Sequence, residues 1–581
     1  MKPAKVASSD QRNGGIMKKR VLVVGGVAGG MTTAARVRRL DEDADVIVFE
    51  KGEHVSFSNC CLPYHLGDAI PCGDTLVLMM PEVLRARQNI DARVHHEVVR
   101  INREEKTVDV KNLLDGTTYT ERYDKLVLSP GAKARMLPIE GIESVPVFAL
   151  RNVADAKGIR DSVVDNDLKD IVVIGGGFIG LEAAENLKLR GCNVILCELL
   201  DQVLLTLDHD MVQTLHREIY DKGIDLHLGT HLVKVEDKKA YLSNGKVVPC
   251  ELVVMAAGTL PESQLAEDAG LELTERKYIK VDQNYMTSDP DIYAIGDVIT
   301  VYHRLSGQYA PLQLAGPALK QARAVADHIY GIPTMNTGYI GSSAIRVFDL
   351  NAAATGLTCR TLDQLGKTNY DYVYVIPKDS VGIMPSSENQ FLKVIYEIPT
   401  GRILGAQAIG KGDVVKRVDV IAAMLKFSPT LEDLKDLELC YAPPFNTARD
   451  SVNFAGYVGL NLLHGVYRHV HVSDVRGLVE SGAYIVDVRE PHEYANGHIV
   501  TAVNVPLSQL RERMDEIPKD RPVYLHCRSS QRSYNALLAL QHKGWTNLYN
   551  IAGSFLGVSN YEYYLDQVSD RKPIVTAYNF A

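Results

Sequence analysis

"IVVIGGGFIGLEAAENLKLRGCNVILCE", Ile171 to Glu198, decides the fold. An apolar β-branched run leads into a glycine turn, a helical period follows, and a second apolar strand closes on Glu198. Gly175, Gly177 and Gly180 complete a G-x-G-x-x-G. The first glycine permits the tight turn, the second lets backbone approach a pyrophosphate, and the third lets helix pack on strand. The helix N-terminus then faces the phosphates. Glu198 ends the second strand, where a carboxylate accepts both ribose hydroxyls and repels a 2′-phosphate. Leu199 and Leu200 offer no arginine to welcome one. The unit is expected to take NADH over NADPH.

Working outward, residues 20–50 repeat the plan as "RVLVVGGVAGGMTTAARVRRL" and "ADVIVFE". Gly25 and Gly30 bracket a looser turn, with Val27 at the middle glycine position and Glu50 at the ribose position. One such turn can serve plain strand–helix packing. Two on one chain, each with its acid, point to two dinucleotides passing electrons between them: a nicotinamide and a flavin (FAD). Asp297, at a strand end in "YAIGDV", is placed to accept from a ribityl hydroxyl, a role compatible with helix N-capping.

The expected class is α/β, with two Rossmann-like dinucleotide-binding domains, then an α+β domain and a C-terminal α/β domain. The expected divisions are a disordered extension over 1–17, FAD-binding parts at 18–150 and 276–338, and an NADH-binding domain at 151–275. An α+β domain then runs over 339–460, a linker over 461–472 and a C-terminal α/β domain over 473–581. Past about Ile340 the texture turns to β-rich hairpins such as "SAIRVFDLNAAATGL" and "FLKVIYEIPTGRILGAQAIG", followed by the amphipathic "DVVKRVDVIAAMLKF".

Bulk properties bound the possibilities. The 581 residues exceed one core, and a net charge of −9 argues against nucleic-acid binding by bulk charge. No apolar run is long enough to cross a bilayer. Nine cysteines, most of them isolated in apolar runs, do not form a secreted disulfide framework. A reduced, cytoplasmic protein is expected. No CxxC pair accompanies a second pair or histidines at zinc spacing, so no metal is expected.

"SFSNCCLPYH", Ser56 to His65, places two adjacent cysteines just past the first unit. Asn59 and turn amides are expected to supply donors that lower the pKa of a thiol at Cys60. With "GGVAGGMTTAARVRRL", "GGGFIGLEAAENL", "TSDPDIYAIGDV", "LAGPALKQAR" and "YAPPF", the stretch makes Lys18 to about Asn461 resemble the coenzyme A-disulfide reductase branch of the FAD- and NAD-dependent disulfide reductases. The resemblance implies that Cys60 faces the flavin and cycles through a mixed disulfide with a small thiol. It implies coenzyme A contacts from Thr32, Arg36, Arg39, Ser56, Asn59 and Lys320, a cofactor-binding Glu182, and a homodimer formed through an α+β dimerisation domain at 339–460, in which "YAPPF" reaches the partner's site. A solvated basic face competes as a reading of Arg36 and Arg39. Departures are Lys320 for arginine, Leu319 for asparagine, "VGIMPS" for "AGYYPG" and Phe445 for tyrosine. Tyr441 remains of the tyrosines that help a thiolate leave in that branch.

"VDVREPHEYANGHI", "AVNVP" and "HCRSSQRS" resemble a rhodanese, which implies that 473–581 is a rhodanese α/β domain. There Cys527 opens a loop whose amides converge on its sulfur, an anion nest. Arg528 and Arg532 add positive charge, Asp487 and Arg489 support the loop, Glu493 and His498 are structural, and Ser530 replaces the usual glycine.

A domain that handles sulfane sulfur joined to a thiol reductase suggests an NADH-dependent persulfide or polysulfide reductase acting on a small-molecule substrate. Coenzyme A is expected as substrate, carrier or cofactor. The rivals are a coenzyme A-disulfide reductase, an NADH oxidase or peroxidase of the same fold, and a redox sensor without turnover.

Overall fold

The computed structural model describes residues 18–580, so the extension expected over residues 1–17 lies outside them. Two five-stranded sheets form the N-terminal body. The first runs Ile292–Ala294, Lys125–Leu128, Arg20–Val24, Asp45–Phe49, Asp91–Arg93, with every neighbour parallel. The second runs Asp225–His227, Asn193–Cys197, Asp170–Ile174, Leu252–Met255, Val147–Phe148, again all parallel. Each central strand (Arg20–Val24, Asp170–Ile174) is a β-branched run buried along most of its length, as a parallel strand covered on both faces requires. Each feeds a helix, Ala28–Leu40 or Phe178–Leu189, through its glycine turn.

An antiparallel three-stranded meander, His96–Asn102, Thr107–Asn112 and Thr118–Arg122, hangs from the first sheet. The sequence reading passes over it. Thr118–Arg122 alternates exposed and half-buried positions with none fully buried, which leaves little apolar signal.

The third sheet is antiparallel: Ser342–Val347, Leu350–Gly356, Ile403–Gly410, Gln390–Glu397, Tyr370–Val375. The helix Val414–Leu425 packs its Val414, Val418, Ile421 and Leu425 stripe on it, as the 3.6-residue period dictates. Lys393 crosses from this sheet to Asp208 (3.1 Å) and Asp210 (2.8 Å) of the second unit, all three buried. Removing one partner of such a group would strand an unpaired buried charge.

The C-terminal unit has a parallel sheet ordered His469–Val470, Leu548–Ile551, Val523–His526, Tyr484–Asp487, Val503–Asn504. It is docked on the body. Its helix Ser554–Val568 packs against His209–Asp221, the Tyr564 hydroxyl donates to Leu226 O at 2.9 Å, and Arg217 donates to Asn560 at 2.6 Å. Segment 461–472, expected as a linker, is not a free tether. Tyr467 is buried, Asn461 donates to Tyr534, and Val472 joins a core shared with the body. Among the described residues no helix is long and apolar enough to cross a membrane.

Candidate active sites

Both glycine turns have the shape a dinucleotide needs. Gly25 and Gly175 sit at φ +98° and +107°, and a Cβ on Gly30 or Gly180 would fall 1.8 Å from the carbonyl oxygen of Gly25 or Gly175. A Cβ on Gly177 would meet nothing within 4 Å, so it would project into open space over the turn, where a phosphate must come. The N-caps, Val27 and Gly177, make no side-chain cap bond, which leaves first-turn amides for an anion. Glu50 accepts from Gly26 N (2.8 Å) and Gly52 N (2.7 Å), and Glu198 accepts from Gly176 N (2.6 Å) and Leu200 N (2.9 Å). The carboxylates are thereby fixed beside their turns.

Cys60 stands exposed on the 3-10 turn Asn59–Cys61, just before the short helix Leu62–Leu66. That helix packs on Phe178–Leu189, which carries Glu182. Asp297 follows the strand Ile292–Ala294, with Arg151 at 3.8 Å. Four parts of the chain therefore bring Cys60, Tyr64, Glu182 and Asp297 together.

The electrostatics correct one expectation. The Cys60 pKa is raised, first by burial of part of the side chain and then by Glu182, Cys61 and Asp297. Asn59 is exposed and does not reverse this. Burial is the largest cause, and the neighbouring carboxylates add to it. Glu182 is pushed up to about 7, chiefly by burial and then by Glu185, against a 3.5 Å contact from Tyr64. Tyr64 is itself pushed up to about 12 by burial and by Glu182. Sequence reasoning missed Tyr64, although "LPY" sits inside the quoted stretch. Cys61 packs against apolar neighbours and forms no disulfide.

The expected coenzyme A residues are only partly available. Arg36 is committed to Asp327 of the helix Ala315–Ile329, at 2.6 and 2.7 Å, so it ties two helices together instead of standing ready as a clamp. Nothing in the first helix announced a carboxylate 291 residues away. Arg39 is exposed, Thr32 and Ser56 are half-buried, and Ser56 holds a left-handed φ of +50°. Lys320 is exposed and lines a cavity of about 500 Å³ with Arg304 and Lys426. Tyr441 and Phe445 are exposed, at 50% and 69%, ahead of the helix Ser451–Leu463.

Cys527 follows the strand Val523–His526 and is 1% exposed. Its amide donates to Ser554 Oγ (3.1 Å), and the hydroxyls of Ser533 and Ser554 lie 3.7 and 4.0 Å from its sulfur. Ser530, where glycine is usual, takes φ +80°; its hydroxyl donates to Ile551 O at 3.0 Å, which offsets part of the backbone cost. Arg532 reaches Glu493 with two bonds of 2.6 and 2.7 Å, and its own charge is strengthened first by Glu493 and also by Cys527. Glu493 is held down at about 2. Arg528 donates to Asn579 O at 3.0 Å. Buried Asp487 and Arg489 pair at 2.6 Å behind the loop. Ser554 was missed because it arrives from a separate strand–helix turn.

The chain matches the pyridine nucleotide-disulphide oxidoreductase family over residues 19–322, that family's dimerisation domain over 342–452, and the rhodanese-like domain over 471–561. A coenzyme A disulfide reductase of Staphylococcus aureus is 34% identical over 439 residues, covering 75% of this chain and 99% of the relative. The reduced CoADR-RHD of Bacillus anthracis superposes with a TM-score of 0.91 at 40% identity, over 94% of this chain and 98% of that one. An NAD-dependent persulfide reductase from A. fulgidus superposes at 0.87 with 32% identity, over 92% and 99%. The chain belongs to the pyridine nucleotide-disulphide oxidoreductases and carries a rhodanese-like domain at its C-terminal end.

Proposed function

We propose that this oxidoreductase uses NADH to reduce persulfides, with coenzyme A persulfide the preferred substrate, by the balance R–S–SH + NADH + H⁺ → R–SH + H₂S + NAD⁺. The observation that carries the reading is the presence of two differently built thiols on one chain: Cys60 beside the dinucleotide turns and Cys527 in a rhodanese loop. Bound FAD, held by Gly25, Gly30, Glu50 and Asp297, would supply the two-electron relay between NADH and Cys60. Gly175, Gly177 and Gly180 would hold the NADH pyrophosphate, and Glu198 its ribose.

At Cys60 the thiolate attacks the persulfide. Attack on the thiol sulfur releases hydrosulfide and leaves a mixed disulfide; attack on the sulfane sulfur releases the thiol and leaves a Cys60 persulfide. Glu182, with a pKa of about 7, serves as the nearby proton store for the departing group. Exposed Arg39 and Lys320 are the cations left for coenzyme A phosphates, with Thr32 on the same helix as Arg39 and with Ser56 and Asn59 toward the thiol arm. Exposed Tyr441 completes a partner's site in a homodimer. Cys527 loads sulfane sulfur, stabilised as an anion by loop amides and Arg532.

The test compares kcat/KM for coenzyme A persulfide, coenzyme A disulfide and oxygen, each with NADH and with NADPH. The persulfide should lead by about tenfold or more, and NADH should be favoured by about tenfold. Disulfide or oxygen in the lead would assign the chain to one of those activities instead.

A further inference from the structure

The seam between the C-terminal unit and the third sheet holds a group of side chains that the redox chemistry does not use. Asp371 lies on Tyr370–Val375, the edge strand of the antiparallel sheet. His469 and His471 lie two residues apart where the chain enters the C-terminal sheet, a spacing that projects both side chains to one side of an extended segment. His469 Nε2 is 3.0 Å from Asp371 Oδ2, and His471 Nε2 is 3.2 Å from Asp371 Oδ1. One donor atom from each residue lies within 4.8 Å of the others.

We propose that Asp371, His469 and His471 form a divalent transition-metal site, suited to Zn²⁺, that staples the rhodanese-like domain to the dimerisation-domain sheet. Zinc takes imidazole nitrogen and carboxylate oxygen at about 2.0–2.2 Å in tetrahedral array, which puts neighbouring donors about 3.3 Å apart. The imidazole nitrogens lie 3.0 and 3.2 Å from different oxygens of Asp371, at hydrogen-bond distance, so zinc would displace these two contacts and draw in one donor atom from each residue, all already within 4.8 Å of one another. Two imidazoles and one carboxylate are the wrong set for calcium or magnesium, which take oxygen. Three protein ligands leave a fourth position for water, and the side chains of His471 and Asp371, 25% and 24% exposed, leave a way in.

Neighbouring groups steady two of the donors. Tyr372 stacks on His471 with ring centres 3.9 Å apart, and the Tyr396 hydroxyl donates to Asp371 Oδ2 at 3.3 Å. The ligands come from both sides of the seam, with 98 residues between Asp371 and His469. An ion there would bind only the docked arrangement and so would stabilise it. No cysteine spacing announces such a site, and so the sequence alone gave no reason to expect a metal.

The test uses the full-length holoenzyme, stripped with a chelator and titrated with Zn²⁺ by calorimetry and with Co²⁺ by absorption. Expected are one equivalent of zinc per chain, a Tm rise of about 2–5 °C, and cobalt d–d bands without thiolate charge transfer. The exposed thiols are thereby separated from this site. Asp371→Asn keeps an acceptor for the imidazoles but removes the anionic ligand, and His471→Ala removes a donor. Each should weaken zinc by about 10- to 100-fold while flavin reduction by NADH persists. The proposal is overturned by absence of a stoichiometric site in the wild-type protein, by a cobalt thiolate band, or by zinc affinity unchanged in Asp371→Asn. The wild-type titration alone can decide it if either variant fails to fold.

Discussion

Cys60 stands exposed on a turn among carboxylates, and its thiol is pushed up by burial, Glu182 and Asp297. Cys527 is buried at the mouth of a helix, with two serine hydroxyls near its sulfur and Arg532 alongside. One thiol gets no help from the charges around it and depends on what binds beside it. The other has polar groups fixed around its sulfur, Ser533 and Arg532 from its own loop and helix and Ser554 from a later turn. That difference is what separate jobs need. A thiol that must alternate between attack and release benefits from staying protonated until substrate arrives, whereas one that stores a sulfur anion benefits from a permanent cradle.

The comparison breaks most sharply at Cys60. Cys60→Ser should lower NADH-driven sulfide release by on the order of 10³-fold or more, the scale on which a nucleophile counts. Stopped-flow reduction of the bound flavin by NADH should remain near the wild-type rate. Sulfide release at the wild-type rate would remove Cys60 from the path.

Glu182 sharpens it by a smaller margin. Its charge is among the causes that raise the Cys60 pKa. Because Glu182 titrates at about 7, its carboxylate is mostly charged at pH 8 and mostly protonated at pH 6. Glu182→Gln should speed iodoacetamide labelling of Cys60 roughly two- to fivefold at pH 8. The effect should fade at pH 6, with Cys527 unaffected throughout. Mass-spectrometric labelling rates across this range test it, and a pH-independent gain would place the effect in packing instead of charge.

How much of this was legible depended on range. The glycine turns, their terminal carboxylates and the Cys527 loop are local patterns in which each residue's role follows from neighbours a few positions away. The parallel sheets follow from the same runs of buried β-branched residues. What escaped came from afar. Asp327 captures Arg36 across 291 residues, Glu182 reaches Cys60 from another domain, and Ser554 approaches Cys527 from a later turn. Segment 461–472 is expected as a linker between the last two units. Only the docked surface shows that Tyr467 and Val472 are core.

Docking also constrains the reaction. Tyr564 and Arg217 seat the C-terminal helix on the body, so a swing of Cys527 toward Cys60 would first have to break these contacts. In this account sulfur crosses on a mobile thiol, and the pantetheine arm of coenzyme A is long and flexible enough to be that carrier.

The most direct test of this division of labour is sulfide release by Cys527→Ser from two classes of donor, with NADH as reductant. Preformed coenzyme A and glutathione persulfides should be reduced within about threefold of wild type, because they meet Cys60 directly. Reduction of polysulfide or thiosulfate-type donors should fall by about 100-fold or more, and sulfur transfer to cyanide should vanish. If the variant handles every donor as the wild type does, the rhodanese-like domain stands outside the catalytic cycle and the account of two thiols in sequence is wrong.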